Sequence, residues 1–115
     1  METDIIAHAR NIRISPQKVR RVVDLVRGKD VGEALTILKF VPNRAALPVS
    51  KAIASAMANG EENYGVSRDD MFVHRIFADV APTRKWRRFG ARGRFKPWLR
   101  RGSHITVILR EREEA

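Results

Sequence analysis

Nine basic residues lie between Pro82 and Gly102, and no acidic residue lies among them. The whole chain has 23 lysines and arginines against 13 aspartates and glutamates, so this segment supplies nearly all of its net charge of +10. Such a run repels itself, which makes it either a solvated loop or a surface for a polyanion. The nine are Arg84, Lys85, Arg87, Arg88, Arg92, Arg94, Lys96, Arg100 and Arg101.

Four aromatic residues are interleaved with these cations. They are Trp86, Phe89, Phe95 and Trp98. A solvated loop gives no reason for two tryptophans in water, whereas cations that neutralise phosphates and rings that stack on bases are typical of nucleic-acid binding. A membrane surface is a weaker interpretation, because the apolar residues form no continuous stripe. The sequence therefore favours a nucleic-acid partner and no membrane.

A second basic group follows the first strand-like segment. Lys18, Arg20 and Arg21 form either an ordinary solvated helix face or a further phosphate-binding patch. The sequence leaves both interpretations open.

Residues for catalysis or metal binding are not arranged in any familiar pattern. The chain has no cysteine, and no two of its three histidines have the spacing of paired ligands on a helix. Ser103 and His104 are neighbours on a predicted strand, where side chains point to opposite faces and cannot form a catalytic dyad. We find no phosphate-binding loop and no nucleophile elbow. We expect no enzyme, no metal and no cofactor.

Length and composition place further bounds on the protein. With 115 residues, of which 43% are hydrophobic, residues 1–115 are expected to form a single domain with a modest core. The N-terminus has no basic start followed by an apolar stretch, and no apolar run approaches the roughly 18 residues that span a bilayer. We expect a cytoplasmic protein.

The first third of the chain predicts a strand followed by a helix. The strand runs from Asp4 to Ile14, with Ile6, His8, Arg10, Ile12 and Ile14 on one face and Ile5, Ala7 and Ala9 on the other. Ser15 and Pro16 are a strong helix start, because serine caps and proline suits the first position. The helix buries Val19, Val22, Val23 and Val26 and ends at Gly28.

Two more helices are predicted. The second begins at Asp30, forms a capping box with Glu33 and ends before Pro42. Its buried residues are Ala34, Leu35, Leu38 and Val41. The third runs from about Asn43 to Gly60 and is expected to kink at Pro48, where a hydrogen bond would be lost.

Two strands, Met71 to Ala81 and Ser103 to Arg110, flank the basic segment. With glycines midway, this pattern predicts one long hairpin whose end, residues 82–102, protrudes as a basic arm of roughly 30 Å. One register pairs Trp86 with Trp98 and Phe89 with Phe95.

At the base of the hairpin, the register that best places apolar residues opposite each other differs by one residue from the register of the aromatic pairs. It sets Ile76, Ala78 and Val80 against Leu109, Val107 and Ile105. A β-bulge near Pro82 or Gly102 would reconcile the two registers.

Seven segments, in order and at matching spacing, carry a resemblance that covers essentially the whole chain. They are Ile14–Arg20, Val22–Lys29, Glu33–Leu38, Ala58–Asn63, Ala81–Thr83, Ala91–Arg94 and Ser103–Val107. Together they resemble the L twenty-two family of bacterial large-subunit ribosomal proteins. The chain departs from the usual family pattern at Trp86, Phe95 and Trp98, which replace mostly basic or aliphatic residues, at Gly102, where threonine is common, and at Gly60, where alanine is common.

The resemblance implies an α+β fold, three helices packed on a three-stranded antiparallel sheet, with a long extended β-hairpin. It implies a structural constituent of the large ribosomal subunit that binds several domains of ribosomal RNA and assists assembly in the cytoplasm. Its implied partners are ribosomal RNA, neighbouring ribosomal proteins and the nascent peptide, since the hairpin tip of this family lines the exit tunnel. That tip corresponds to Gly90, Ala91, Arg92, Gly93 and Arg94.

The candidate RNA-binding residues are basic or aromatic. They are Lys18, Arg20, Arg21, Arg84, Lys85, Trp86, Arg87, Arg88, Arg92, Arg94, Lys96, Trp98, Arg100 and Arg101. A histone-like architectural DNA protein is the alternative, because it also combines helices with basic arms and apolar wedges. Such a protein normally dimerises, whereas we expect this chain to be monomeric when free.

Overall fold

Three α-helices cover one face of a three-stranded antiparallel sheet, and two further strands pair with each other in a separate ribbon. The computed structural model describes residues 4–81, 84–89, 95–100 and 102–112. The elements in chain order are β1 (Ile5–Ile12), α1 (Pro16–Val26), α2 (Val31–Lys39), α3 (Ala46–Tyr64), β2 (Met71–Val80), β3 (Arg84–Phe89), β4 (Phe95–Arg100) and β5 (Ser103–Glu111), with a 3₁₀ turn at Arg68–Asp70 before β2. The predicted α+β class and the three-stranded sheet are confirmed.

The last strand of the chain, β5, lies in the middle of the sheet between β1 and β2. Its residues alternate as predicted, with Ile105, Val107 and Leu109 fully buried against the helices. The opposite face of the sheet carries no helix among the described residues, and Ile6 and Phe77 are exposed there. The core is therefore one layer between the sheet and the three helices.

The first helix follows its sequence pattern. Four valines on one face of α1 are buried: Val19, Val22, Val23 and Val26. Pro16 occupies the first helical position as predicted, but the predicted cap by the Ser15 side chain does not form. The Ser15 carbonyl oxygen accepts the first helical hydrogen bonds, from the Lys18 and Val19 amides. Gly28 follows the helix with φ of +80°, as expected for a left-handed turn.

The second helix begins after Asp30, yet the predicted capping box does not form. No side chain caps this end, and the Asp30 carboxylate accepts a hydrogen bond from the Arg112 guanidinium instead. An ion pair with a distant arginine competes with the local cap, which sequence spacing alone does not show. The helix ends at Lys39, before Pro42 as predicted.

The third helix is displaced toward the C-terminus relative to the prediction. It starts at Ala46, so Pro48 lies in its first turn, where the amides have no intrahelical partner and proline removes no hydrogen bond. The stated cause of the predicted kink is therefore absent. The helix also runs through Gly60, where an added Cβ would lie 2.7 Å from Met71 Cε, and ends at Gly65 with φ of +65°.

Strand β1 does not keep one alternation to its end. Asn11 has φ of +58°, and the register with β5 shifts between Ala9 and Ile12. Ile6, His8 and Arg10 are exposed, whereas Ile12 is partly buried and Ile14 is buried. The prediction that these five residues share one face is wrong, because the irregularity at Asn11 changes which face of the sheet the following residues lie on.

The β2–β5 pairing differs from the predicted one by two residues. Ile76, Ala78 and Val80 lie opposite Val107, Ile105 and Ser103. A second irregularity falls between Val73 and Arg75. A slip of two residues leaves every side chain on its predicted face, so the apolar pattern fixed the faces correctly but not the partners.

In the ribbon, the predicted register is confirmed. Trp86 lies opposite Trp98 and Phe89 opposite Phe95. Between the pair Val80 and Ser103 and the pair Arg84 and Arg100 the register changes by one residue, as the bulge hypothesis requires. Of the residues in between, Pro82, Thr83 and Arg101 lie outside the described residues.

Candidate nucleic-acid interface

The root of the arm, which comprises Val80, Ala81, Gly102 and Ser103, is held by the segment that leads out of β1. The Ser103 hydroxyl donates to the Ile14 carbonyl oxygen at 2.6 Å, and a Cβ at Gly102 would lie only 2.9 Å from the Ile12 carbonyl oxygen. The Asn11 amide donates to His104 Nδ1 at 3.1 Å. Residues 11–14 thus lie directly beside the strand that returns from the arm.

The two strand ends that form the root are also joined to each other. The Ala81 amide donates to the Gly102 carbonyl oxygen at 3.0 Å, which continues the β2–β5 ladder by one residue beyond Val80 and Ser103. Ala81 is buried. The root is therefore a packed, hydrogen-bonded junction between the two strands.

Arg20, one of the predicted RNA-binding residues, has a structural role in this junction. Its Nε and one terminal nitrogen donate to the Ala78 carbonyl oxygen at 3.2 and 3.1 Å. Two turns further along the chain, directly after α1 and on the same side, Arg27 donates to the Ile76 carbonyl oxygen at 2.8 Å. The two arginines tie α1 to the outer edge of β2. RNA binding by Arg20 stays a prediction.

Lys18 and Arg21 are exposed on α1, and within the described ranges neither side chain takes part in a hydrogen bond or an ion pair. The sequence analysis missed two further cations of the same kind: Arg10, which directly precedes the segment that holds the root, and Arg13, which lies within it. Both are exposed and likewise have no partner in the described part of the chain. The signal was available, because residues 5–23 contain five basic residues and no acidic one.

Two of the remaining arginines form ion pairs at the other end of the sheet. Arg110 pairs with Asp4 at 2.6 Å. The Arg110 hydrogen bond holds the pKa of the Asp4 carboxyl below its ordinary value. Arg112 pairs with Asp30 and lies over the Phe72 ring, 4.8 Å from its centroid. The charges of these two arginines are therefore compensated within the domain.

The predicted arm residues divide into two groups. Five of them lie in β3, namely Arg84, Lys85, Trp86, Arg87 and Arg88, and three lie in β4, namely Lys96, Trp98 and Arg100. Arg92, Arg94 and Arg101, together with the predicted tip Gly90–Arg94, lie outside the described residues. Backbone pairing brings eight of the candidate residues into one ribbon of 12 paired positions.

Two of the three histidines and Ser103 are used by the fold. His8 Nδ1 lies 3.2 Å from the Thr106 hydroxyl, His104 binds the Asn11 amide, and the Ser103 hydroxyl is committed to Ile14. In the described ranges no buried side-chain nitrogen or oxygen lacks a partner, and no cluster of three or more acidic or histidine side chains could hold a metal ion. None of the described helices is long and apolar enough to cross a membrane.

Comparison with known proteins gives a consistent result over nearly the whole chain. Residues 7–110 match the family model described as ribosomal protein L22p/L17e. A large ribosomal subunit protein uL22 from Carboxydothermus hydrogenoformans is 45% identical over 94% of this chain and 96% of its own length. The same-named protein from a Thermoanaerobacter species is 50% identical over 93% and 96%, and that from Desulfitobacterium hafniense 49% over 94% and 95%. The chain belongs to the ribosomal protein L22p/L17e family.

Proposed function

We propose that the arm and the cations at its root bind large-subunit ribosomal RNA and hold separate RNA segments in one arrangement during subunit assembly. Family membership makes the chain a structural constituent of the large subunit in the cytoplasmic ribosome, and not an enzyme. What is proposed here is which surface meets the RNA and how it does so.

The paired ribbon is the observation that carries this proposal. Basic residues occupy six of its 12 paired positions, and no acidic residue is among them. Cations brought together on a narrow ribbon repel one another until phosphates lie between them. Binding therefore relieves a repulsion that folding of the arm creates. Recognition by RNA shape and backbone suits such a surface, since the deep groove of A-form helices hides base edges.

Arg10, Arg13, Lys18 and Arg21 extend the surface onto the domain. Arg13 lies between Ile12 and Ile14, both of which contact the root, so its backbone is fixed relative to the arm. A phosphate bound there needs no ordering of the protein chain, which lowers the entropic cost of the contact. The domain and the arm would then contact RNA on both sides of the root.

The tunnel role is proposed on the family resemblance. In the family the tip of the hairpin lines the nascent-peptide tunnel, and the corresponding residues are Gly90, Ala91, Arg92, Gly93 and Arg94. Neighbouring ribosomal proteins and the nascent peptide are the other partners that the resemblance implies. A photo-crosslinker in place of Arg92 is expected to label nascent chains in translating ribosomes. Labelling of ribosomal RNA alone would contradict the tunnel role.

The RNA proposal is tested by titrating the full chain with a transcript of large-subunit ribosomal RNA at several salt concentrations. If about six cations contact phosphates, log K should fall against log salt with a slope of about −4 to −5. Duplex DNA of equal length is the competitor that separates the alternative. Equal competition by DNA, together with a dimer in sedimentation, would favour the architectural DNA protein and overturn the RNA proposal.

A further inference from the structure

The observed register divides the ribbon into two unlike faces. Alternate residues of a strand share a face, and residues directly opposite each other on the two strands share it too. One set, called the Trp face, consists of Arg84, Trp86, Arg88, Lys96, Trp98 and Arg100. The other set, called the Phe face, consists of Lys85, Arg87, Phe89, Phe95, Pro97 and Leu99.

Charge is distributed unequally between these faces. On the Trp face Arg84 is opposite Arg100 and Arg88 is opposite Lys96, so two like-charged pairs flank the tryptophan pair. On the Phe face the two cations are opposite Leu99 and Pro97, so no cation is opposite another. Like charges placed directly opposite each other destabilise a strand pair. In the ribbon, this destabilisation arises only on the Trp face.

We propose that the Trp face is the side of the arm that meets ribosomal RNA, with a phosphate bound at each cation pair and the two tryptophans stacked on unpaired bases between them. Rows two positions apart on a strand are separated by roughly 7 Å, so cations, rings and cations follow one another along the arm. A polyanion removes the repulsion of both cation pairs, and aromatic rings stack on bases of any sequence. The inference deepens the proposed RNA binding and rests on it.

The cation arrangement is tested with two matched double variants in the full chain. Arg84→Gln with Arg88→Gln removes two charges from the Trp face, and Lys85→Gln with Arg87→Gln removes two from the Phe face of the same strand. Binding to a large-subunit ribosomal RNA transcript is measured across salt concentrations. The Trp-face variant should reduce the magnitude of the salt slope by about 1.4, and the Phe-face variant should leave it unchanged.

Each outcome of that comparison decides something. Equal reductions from both variants, or a reduction from the Phe-face variant alone, overturn the proposed face while RNA binding by the arm stands. No reduction from either variant removes the arm from the RNA interface, and the proposed function fails with it.

The stacking part has its own probe, because Trp86 and Trp98 are the only tryptophans in the chain. Their intrinsic fluorescence should be quenched by the RNA transcript and not by polyphosphate, which carries charge without bases. Trp86→Leu with Trp98→Leu should weaken RNA binding about tenfold or more, whereas Phe89→Leu with Phe95→Leu should change it much less. Stacking by the Trp face is overturned if tryptophan emission is not quenched when RNA binds. It is also overturned if the two double variants lose RNA affinity equally.

Discussion

The Ser103 hydroxyl donates a hydrogen bond to the Ile14 carbonyl oxygen, and both residues are buried although 89 positions separate them. This single contact joins the exit of β1 to the first residue of β5, which is also the point where the arm returns to the domain. It fixes the root from the side opposite to α1.

Ser103→Ala should lower the free energy of unfolding by about 1–3 kcal/mol, because it leaves a buried carbonyl oxygen without a donor. Urea unfolding followed by circular dichroism measures the change. Ser55→Ala is the control, since Ser55 is exposed in α3 and alanine favours a helix. Equal stability of the Ser103 variant and the unmodified chain would contradict this account of the root.

Gly102→Ala should destabilise the protein by about 1–3 kcal/mol, since a Cβ there would lie 2.9 Å from the backbone oxygen of Ile12. Gly32→Ala is the matched control. An added Cβ at Gly32 meets nothing within 4 Å, and in helix α2 alanine should stabilise by roughly 0.5–1 kcal/mol. Thermal unfolding of the two variants should therefore shift in opposite directions. Shifts of the same sign would show that the close approach is not rigid.

Arg20→Gln and Lys18→Gln should have separable effects although the residues are two positions apart. Loss of the Arg20 hydrogen bonds to Ala78 should cost about 1 kcal/mol of stability, a figure kept low because the side chain is exposed. Loss of Lys18 should leave stability unchanged and reduce the salt slope of RNA binding by somewhat less than 1. Urea unfolding and RNA titration are run on both variants. The reverse pattern would assign the two residues the opposite roles.

The Asp4 carboxyl should titrate below the ordinary range of aspartate, because the Arg110 guanidinium stabilises its ionised form. A pKa lowered by folding means that the pair contributes stability above the unfolded-state pKa and loses it as the pH falls through the folded-state pKa. Carbon-detected NMR titration of Asp4 measures this directly. Arg110→Gln should move the pKa back toward its ordinary value, and an unchanged titration would show that the pair does not form in solution.

Much of the architecture was predictable from local patterns. The valine spacing of α1 and the alternation of Ile105, Val107 and Leu109 gave the buried faces, because burial periodicity differs between helix and strand. Aromatic residues at matching distances from the turn gave the register of the ribbon. The β2–β5 register was missed, since apolar alternation has a period of two and does not distinguish partners two residues apart.

The features that escaped prediction depend on contacts between distant parts of the chain. The bulge at Asn11 lies next to its His104 contact, and the engagement of Arg20 depends on a carbonyl oxygen of β2. Nothing near these residues in sequence indicates such partners. The cations at Arg10 and Arg13 were visible in the sequence, but their place beside the root was not.

The position of β5 has a consequence for biosynthesis. The strand at the centre of the sheet follows the other two in the chain, so β1 and β2 have no neighbour in the sheet to pair with until β5 is synthesised. A nascent chain that stops before Ser103 would leave the valines of α1 without the sheet that covers them, and would already carry the basic arm. The charge of the arm is therefore present before the sheet can form, while the anchoring of its root requires β5.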